Sequence, residues 1–311
     1  MWILYVAIFL LFLLVFTGAY TFVYACARRK ELPWLVEADI KKTSYGKYYK
    51  HIMFSHNWLK NHNAQDVFTT SNDGLKLHAY WVPAEKAKGT VLFAHGYRST
   101  YLVDFGLAME YYHNRGLNLL IPDQRTHGQS EGRFITFGVK ESEDMRQWVK
   151  YHNAHLCRCP IMLSGMSMGA STMLFLADQD VPDNVKGIIA DCGFTSPHAI
   201  LSVVFRKVTH IPACICLWMT DICARLVAHF GLKEKDTRIV LQNSKLPVLI
   251  VHGTKDNFVP CEMSKQAYEK CAEPKKLLLV EGADHGLSFI VDRENYEKAI
   301  VAFFDQCGIK I

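Results

Sequence analysis

The chain has 311 residues, of which 50% are hydrophobic and 21% are charged, and its formal net charge is +5. This composition excludes a disordered chain and allows a large buried core. The basic excess lies in residues 28–60, with eight Lys/Arg and three acidic residues, whereas the other 27 basic residues are balanced by 27 acidic ones. A neutral main domain without a basic, aromatic-rich strip argues against nucleic-acid binding.

The first 27 residues contain no charged residue and no histidine. As a helix, residues 2–26 would exceed the ~30 Å hydrocarbon core of a bilayer, so residues 1–27 are predicted to be a transmembrane anchor. A cleaved signal peptide and a lipoprotein leader ending at Cys26 are the alternatives, but both carry basic residues before the apolar stretch. Arg28, Arg29 and Lys30 instead follow it, which favours a single-pass protein with its main domain in the cytoplasm.

Residues 28–62 are predicted to be a basic linker beside the membrane. Anionic headgroups attract such a segment by about 1 kcal/mol for each basic residue near the surface, which makes membrane lipid an expected partner. The alternative is a solvated linker without a preferred surface.

Residues 63–311 alternate between short apolar runs and longer amphipathic segments. Asn72, Asp73 and Gly74 separate two strand-like stretches and predict a hairpin. The predicted strands that follow are "GTVLFA", "LNLLIP", "PIMLSG", "VKGIIAD", "LPVLIVHG" and "KKLLLVEG", and the predicted helices cover about residues 102–114, 138–153, 168–178, 261–271 and 288–306. This order predicts an α/β domain whose eight-stranded, mostly parallel sheet has helices on both faces, with the hairpin at one edge.

Residues 196–246 interrupt the alternation. Within residues 208–232 only Asp221 and Arg225 are charged, and the helical spacing of the apolar residues predicts an inserted helical cap. The ten cysteines form no spaced framework and no CxxC pair, so we expect free thiols in a reducing compartment and neither a metal site nor a cofactor.

Gly165-Met166-Ser167-Met168-Gly169 is a G-x-S-x-G motif between a predicted strand and a predicted helix. A sharp turn in this context exposes a serine hydroxyl above the sheet as a nucleophile. Such a serine needs a histidine as base and an acid that holds the histidine tautomer, in the chain order Ser, acid, His.

Asp256 and His285 each follow a predicted strand, at the sheet edge where sites of parallel sheets gather. Asp284, next to His285, is expected to cap a turn instead, and Asp191 would occupy the less usual acid position at an earlier strand end. The catalytic candidates are therefore Ser167, Asp256 and His285, whereas His95 and His252 are predicted to be structural.

Acyl transfer also needs two backbone donors for the oxyanion. Met168 N–H is the expected first donor, because it follows the serine. The second is expected from the loop after "VLFAHG", as the N–H of Tyr97 or, as the alternative, of Arg98.

The order of "HGYRST", "DQRTHGQSEG", "GMSMGA", "ADCGFTS", "HGTKDNFVP" and "GADHG" in residues 64–311 resembles the α/β-hydrolases of the serine aminopeptidase-like (S33-type) and Bem46-like groups. Thr126 departs from the pattern, since relatives usually have glycine there. The resemblance implies the α/β-hydrolase fold and serine hydrolase chemistry, but these groups include esterases, lipases, thioesterases and peptidases.

The leading hypothesis is a membrane-anchored serine hydrolase that cleaves carboxylic esters, including acyl or lipid esters, through an acyl-enzyme. Trp218 and Phe230 in the cap are candidates for lining an acyl pocket, although the same residues suit an ordinary helical core. The alternatives are an aminopeptidase-like enzyme, a thioesterase, and a non-catalytic binding module that retains the fold.

Overall fold

The computed structural model describes residues 1–29, 46, 49–209 and 213–311. One eight-stranded sheet is formed by β1 Gln65–Thr70, β2 Lys76–Val82, β3 Gly89–Ala94, β4 Leu117–Pro122, β5 Ile161–Met166, β6 Val185–Asp191, β7 Val248–Gly253 and β8 Lys275–Val280. The helices are α1 Trp2–Cys26, α2 Tyr49–Asn61, α3 Tyr101–His113, α4 Val139–Tyr151, α5 Met168–Leu174, α6 Pro197–Thr209, α7 Cys214–Cys223, α8 Thr237–Val240, α9 Cys261–Lys270, α10 Ser288–Val291 and α11 Arg293–Gln306.

The strands lie in the order β1-β2-β4-β3-β5-β6-β7-β8. β1 pairs with β2 and β2 with β4 in antiparallel fashion, and all the other neighbours are parallel. The predicted α/β-hydrolase sheet with an antiparallel hairpin at one edge is therefore confirmed, and helices α6, α7 and α8 form the cap between β6 and β7.

The core occupies both faces of the sheet, because successive strand residues point to opposite sides. In β3, Val91 and Phe93 pack into the cluster beneath α3 and α11, whereas Leu92 and Ala94 pack into the cluster beneath α4 and α5. Every residue of β3, β4, β5 and β7 is buried, as expected for central strands covered on both faces.

A third cluster, the anchor–cap cluster, joins the end of α1 to the cap. Its members include Phe22, Ala25 and Cys26 from α1, Leu217, Ala224 and Phe230 from the cap, and Met168 at the start of α5. Among the described residues, α1 is the one helix that is long and apolar enough to span a membrane.

The chain differs from the sequence expectation at α2, where a helix replaces the end of the predicted linker. Trp58 and Leu59 are 7% and 5% exposed in the core cluster beside α3, so burial of an apolar helix face stabilises this segment. Most of the predicted basic linker, at residues 30–45 and 47–48, lies outside the described residues.

Two further expectations are corrected. The predicted final helix 288–306 is two helices, because the Asp292 carboxylate accepts a hydrogen bond from Asn295 N–H and starts α11 anew. Cys157 and Cys159, expected as free thiols, form a disulfide, since their Cα atoms are 5.5 Å apart, within reach of such a bond. The free cysteines among the described side chains are Cys26, Cys192, Cys216, Cys223, Cys261, Cys271 and Cys307.

Candidate active site

Ser167 lies at the sharp turn between β5 and α5. Its φ of 56° and ψ of −117° are a strained conformation for a residue with a side chain. A Cβ atom at Gly169 would lie 1.8 Å from the Ala94 carbonyl oxygen, and one at Gly165 would lie 2.2 Å from the Gly169 carbonyl oxygen. Both motif glycines are therefore required by close backbone contacts, which hold the turn against β3.

The structure brings Ser167, His285 and Asp256 together from the ends of β5, β8 and β7. His285 Nε2 lies 2.9 Å from Ser167 Oγ, and His285 Nδ1 lies 2.7 Å from Asp256 Oδ2. The consistent assignment has Ser167 O–H donating to Nε2 and Nδ1–H donating to the carboxylate. This chain of hydrogen bonds allows the ring to take the serine proton.

Asp256 lies in a site rich in hydrogen-bond donors. Its Oδ1 accepts from the N–H groups of Phe258 and Val259, both at 2.8 Å, and its Oδ2 faces the rings of His285 and, at 3.1 Å, His252. Burial alone would raise the pKa of this carboxyl, but the hydrogen bonds from His252 and His285 outweigh burial and hold the pKa well below its usual range. Asp256 is thus an anion beside His285.

His252 contacts Asp256, and the sequence did not predict this contact. The Nε2 of His252 faces the Val259 carbonyl and the Asp256 carboxylate, which can only accept, so Nε2 is assigned the proton and Nδ1 accepts the Ser264 hydroxyl at 2.6 Å. His95 has a supporting position as well: its Nδ1 lies 2.9 Å from the Gly96 carbonyl and its Nε2 accepts from Gln124 N–H.

The loop after β3 passes beside the nucleophile, because a Cβ atom at Gly96 would lie 3.3 Å from Ser167 Cβ. Burial lowers the pKa of His127 to about 3, so its ring is neutral, and its Nε2 accepts the Arg98 N–H at 3.1 Å. Within the part of the chain that the structure describes, the N–H groups of Tyr97 and Met168 donate to no protein acceptor. Of the two candidate loop amides, Arg98 N–H is thus already bonded to His127, whereas Tyr97 N–H is left without a protein acceptor among the described residues.

Asp104 fixes this loop and was not singled out from the sequence. Its Oδ2 accepts the Gly96 N–H at 2.5 Å and its Oδ1 accepts the Ser99 hydroxyl at 2.7 Å. The one available signal was an acidic residue between apolar neighbours in the first turn of a predicted helix.

Comparison with known proteins identifies the family of this chain. Residues 85–245, more than half of the chain, match the family model "Serine aminopeptidase, S33". The chain belongs to this serine aminopeptidase S33 family. Residues 216–310 also match the TAP-like protein model.

Curated relatives of similar length cover most of the chain. The protein YqkD of Bacillus subtilis is 29% identical over 236 residues, which are 75% of this chain and 76% of that protein. YfhR of Escherichia coli O157:H7 is 24% identical over 72% of this chain and 74% of its own length. These matches cover about three quarters of the chain.

Solved structures share the fold of this family member. The esterase Pf2001 of Pyrococcus furiosus superposes with a TM-score of 0.64 at 21% identity, covering 79% of this chain and 91% of its own. The α/β-hydrolase GrgF from a Penicillium species gives 0.63 at 20% identity, covering 78% and 98%. Hydrolase chemistry is the class that the family and these neighbours share.

Thr126 occupies the position where the family pattern usually has glycine. Its φ is 70°, in the left-handed region that favours glycine, and its N–H donates to the Glu131 carbonyl at 2.9 Å. The turn of the glycine-containing pattern is therefore retained with a threonine, at some cost in backbone strain.

The two candidate pocket residues of the cap lie apart from each other. Phe230 is 2% exposed and packs in the anchor–cap cluster with Met168, whereas Trp218 is 60% exposed on α7.

Asp284, expected to cap a turn, accepts the N–H groups of Asn257 and His285 with its Oδ1. Asp191 is buried at the end of β6 and accepts from Ser288 at 3.1 Å.

Proposed function

We propose that this family member is a serine hydrolase that cleaves carboxylic esters, including acyl esters, through an acyl-enzyme. The observation that carries the proposal is the hydrogen-bonded order of Ser167, His285 and Asp256 at one edge of the sheet. In this reaction Ser167 Oγ attacks the ester carbonyl while His285 Nε2 takes its proton. Asp256 stabilises the imidazolium and keeps its Nδ1–H directed toward the carboxylate.

The N–H groups of Met168 and Tyr97 supply the oxyanion site in this proposal. Both amides are free of protein acceptors within the described chain, and Gly96 places the loop beside Ser167. Two amide donors stabilise the tetrahedral intermediate, and His285 then returns its proton to the leaving alcohol. A water molecule repeats the sequence at the acyl carbonyl, and Ser167 is released.

The cap acids favour an ester over a peptide with a free amino terminus. An aminopeptidase needs an anion directed at the substrate amine, but Asp221, Glu234 and Asp236 all have partners within the cap. Asp221 accepts from Arg225 and Leu232 N–H, Glu234 accepts from Gly231 N–H, and Asp236 binds Arg238 at 2.6 Å.

The test combines an active-site label with a substrate panel. A fluorophosphonate probe should label the wild-type chain, and Ser167→Ala should remove the label and lower ester turnover by about 10³-fold or more, with Ser164→Ala as the matched control. If the wild-type chain cleaves p-nitrophenyl esters and does not cleave aminoacyl-anilides, the result supports an esterase. The reverse selectivity supports the peptidase, and turnover that persists in Ser167→Ala rejects the nucleophile.

We also propose that α1 anchors the protein in a membrane with the hydrolase domain on the cytoplasmic side. The apolar length of α1 and the positions of Arg28, Arg29 and Lys30 support this topology. A cysteine introduced at Ser44 should resist a membrane-impermeant thiol reagent in intact cells and react after lysis. Reaction in intact cells would place the domain outside.

A further inference from the structure

The anchor helix is packed against the cap over its last ten residues. Thr21 Oγ1 lies 3.3 Å from Cys216 Sγ, and the Thr220 hydroxyl donates to the Gly18 carbonyl at 3.3 Å. A Cβ atom at Gly18 would lie 2.3 Å from Met219 Cγ, so glycine permits the close approach of α1 and α7. The two helices therefore form a tight pair rather than a tethered anchor and a separate domain.

Side chains of the loop after β3 bind the carboxyl end of the same helix. The Tyr97 hydroxyl donates to the Ala25 carbonyl at 2.7 Å, and Arg98 Nη2 donates to the Tyr24 carbonyl at 2.6 Å. Ile135 N–H also donates to the Cys26 carbonyl at 2.7 Å. These bonds satisfy carbonyl groups that a helix end leaves unpaired and fix α1 on the hydrolase domain.

The length of α1 then determines the depth of α7. Residues 2–16, which precede the contact with the cap, measure about 22 Å, about 8 Å less than the hydrocarbon core. The missing length requires about five more residues, 17–21, and these residues contact Cys216, Met219 and Thr220. If α1 spans the bilayer, α7 must therefore lie at the depth of the membrane boundary.

The surface of α7 and of the π-helix Ala224–Ala228 that continues it has the composition that such a position requires. Trp218, Leu226 and Val227, here called the cap stripe, are 60%, 72% and 51% exposed. Trp218 and Leu226 are eight residues apart, about two helical turns, and so lie on one side. Asp221 is the only charged residue of α7, and Arg225 binds it at 2.9 Å.

We infer that the cap stripe is a lipid-contacting surface, which lies in the interfacial layer of the bilayer beside α1. Exposed tryptophan and leucine on a helical segment whose one acidic residue is paired with an arginine are typical of such a layer. One consequence rests on the proposed ester hydrolysis. If α7 holds the active site near the membrane boundary, the enzyme receives esters whose acyl chains lie in the membrane. The anchor–cap cluster, which contains both α1 residues and Met168, connects the two locations.

Tryptophan quenching by lipid tests the surface without any measurement of activity. Trp2→Phe and Trp34→Phe in the full chain leave Trp218 and three core tryptophans, Trp58, Trp81 and Trp148, at 7%, 7% and 0% exposed. In phosphatidylcholine–phosphatidylglycerol vesicles, phosphatidylcholine brominated near the headgroup end of its chains should reduce the emission of this variant. The further change Trp218→Phe should abolish that reduction.

Equal emission in plain and brominated vesicles, with Trp218 present, would overturn the inference. A change in oligomeric state on Trp218→Phe together with unquenched Trp218 would assign the stripe to a second protein copy. Gly18→Leu should separate α1 from α7 and remove the quenching, whereas Ala7→Leu adds bulk on an exposed part of α1 and should not. Quenching of Trp218 that survives Gly18→Leu would mean that packing against α1 does not hold α7 at the membrane boundary.

Delivery of membrane-embedded esters to the active site is tested by a separate measurement. Leu226→Asp should slow turnover of an ester embedded in vesicles while turnover of water-soluble p-nitrophenyl acetate stays at the wild-type rate. An equal loss for both esters would mean that the cap itself is damaged and would reject lipid delivery. If the wild-type chain cleaves neither ester, the proposed function fails, whereas the quenching result still decides the lipid surface.

Discussion

The ends of β6 and β7 carry two buried aspartates with opposite electrostatic surroundings. Asp191 ends β6, and burial raises the pKa of its carboxyl although Ser288 donates to its Oδ1. Asp256 follows β7, and burial there is outweighed by the ring N–H groups of His252 and His285, which lower its pKa. Neighbouring strand ends therefore hold one carboxyl whose pKa is raised and one whose pKa is lowered.

The comparison shows that position after a strand does not by itself make an aspartate the acid of a catalytic site. Hydrogen-bond donors decide the direction of the pKa shift: Asp256 also accepts two backbone N–H groups, whereas Asp191 interacts with the neutral hydroxyls of Ser288 and Tyr296. In the proposed reaction His285 takes a proton, and an anionic Asp256 then stabilises the imidazolium.

The largest expected effect separates the two carboxyls by turnover. Asp256→Asn should lower kcat for a p-nitrophenyl ester by about 10⁴-fold, because an amide cannot stabilise the imidazolium and its NH₂ favours the wrong tautomer of His285. Asp191→Asn is the matched control and should remain within a few-fold of wild type. Steady-state kinetics on both variants give the answer, and the opposite ranking would transfer the acid role to the end of β6.

Much of this region could be predicted from sequence because its signals are local. Continuous apolar runs predicted β5, β6 and β7, and the G-x-S-x-G motif predicted the turn at Ser167. The two glycines of the motif are required because they lie against the backbone of β3 and α5. The order of Ser167, Asp256 and His285 along the chain then pointed to the carboxyl ends of three strands.

The rest depended on contacts between residues far apart in the chain. The packing of Gly18 against Met219 and of Tyr97 against Ala25 joins segments that no periodicity connects. An exposed Trp218 could not be told from a pocket residue, because an apolar helix looks the same whether it faces a core, a ligand or lipid. The charge of Asp256 likewise depends on His252, which the sequence suggested only as a structural residue.

Substitutions of His252 test whether its N–H contributes to the low pKa of Asp256, and their expected effect on kcat is smaller than that of Asp256→Asn. His252→Phe removes an N–H directed at Asp256 and should lower kcat about tenfold, since a hydrogen bond to a charged group contributes about 1.5 kcal/mol. His252→Gln keeps a donor on a flexible amide and should restore part of the loss. Equal losses in the two variants would indicate a packing role only, as would a matching loss in thermal stability.

The pH dependence of stability separates the two carboxyls without substrate. The pKa of Asp191 is raised in the folded state, so its contribution to stability falls as pH rises from about 4 through the raised value. Asp191→Asn should therefore match or exceed wild-type stability at pH 7–8, by a few degrees in Tm, and lose this advantage below about pH 4. The pKa of Asp256 is lowered, so Asp256→Asn should be less stable than wild type at neutral pH, and this deficit should shrink below about pH 4. Thermal unfolding across this pH range is the measurement, and parallel curves for the two variants would contradict the opposite pKa directions.

The smallest expected effect concerns the Ser288 hydroxyl, which donates to Asp191. Ser288→Ala removes the 3.1 Å hydrogen bond to Oδ1 and should cost about 1 kcal/mol of unfolding free energy, or about 2–4 °C in Tm, with turnover unchanged. Because that bond favours the ionised carboxyl, its loss raises the pKa of Asp191 further, so the decline of stability with rising pH should extend to higher pH. The double variant Asp191→Asn/Ser288→Ala provides the control, since two residues that share a hydrogen bond should show a combined effect different from the sum of the single effects. Strict additivity, or a Ser288→Ala curve parallel to wild type over the whole pH range, would mean that the Ser288 hydroxyl does not act on the Asp191 carboxyl.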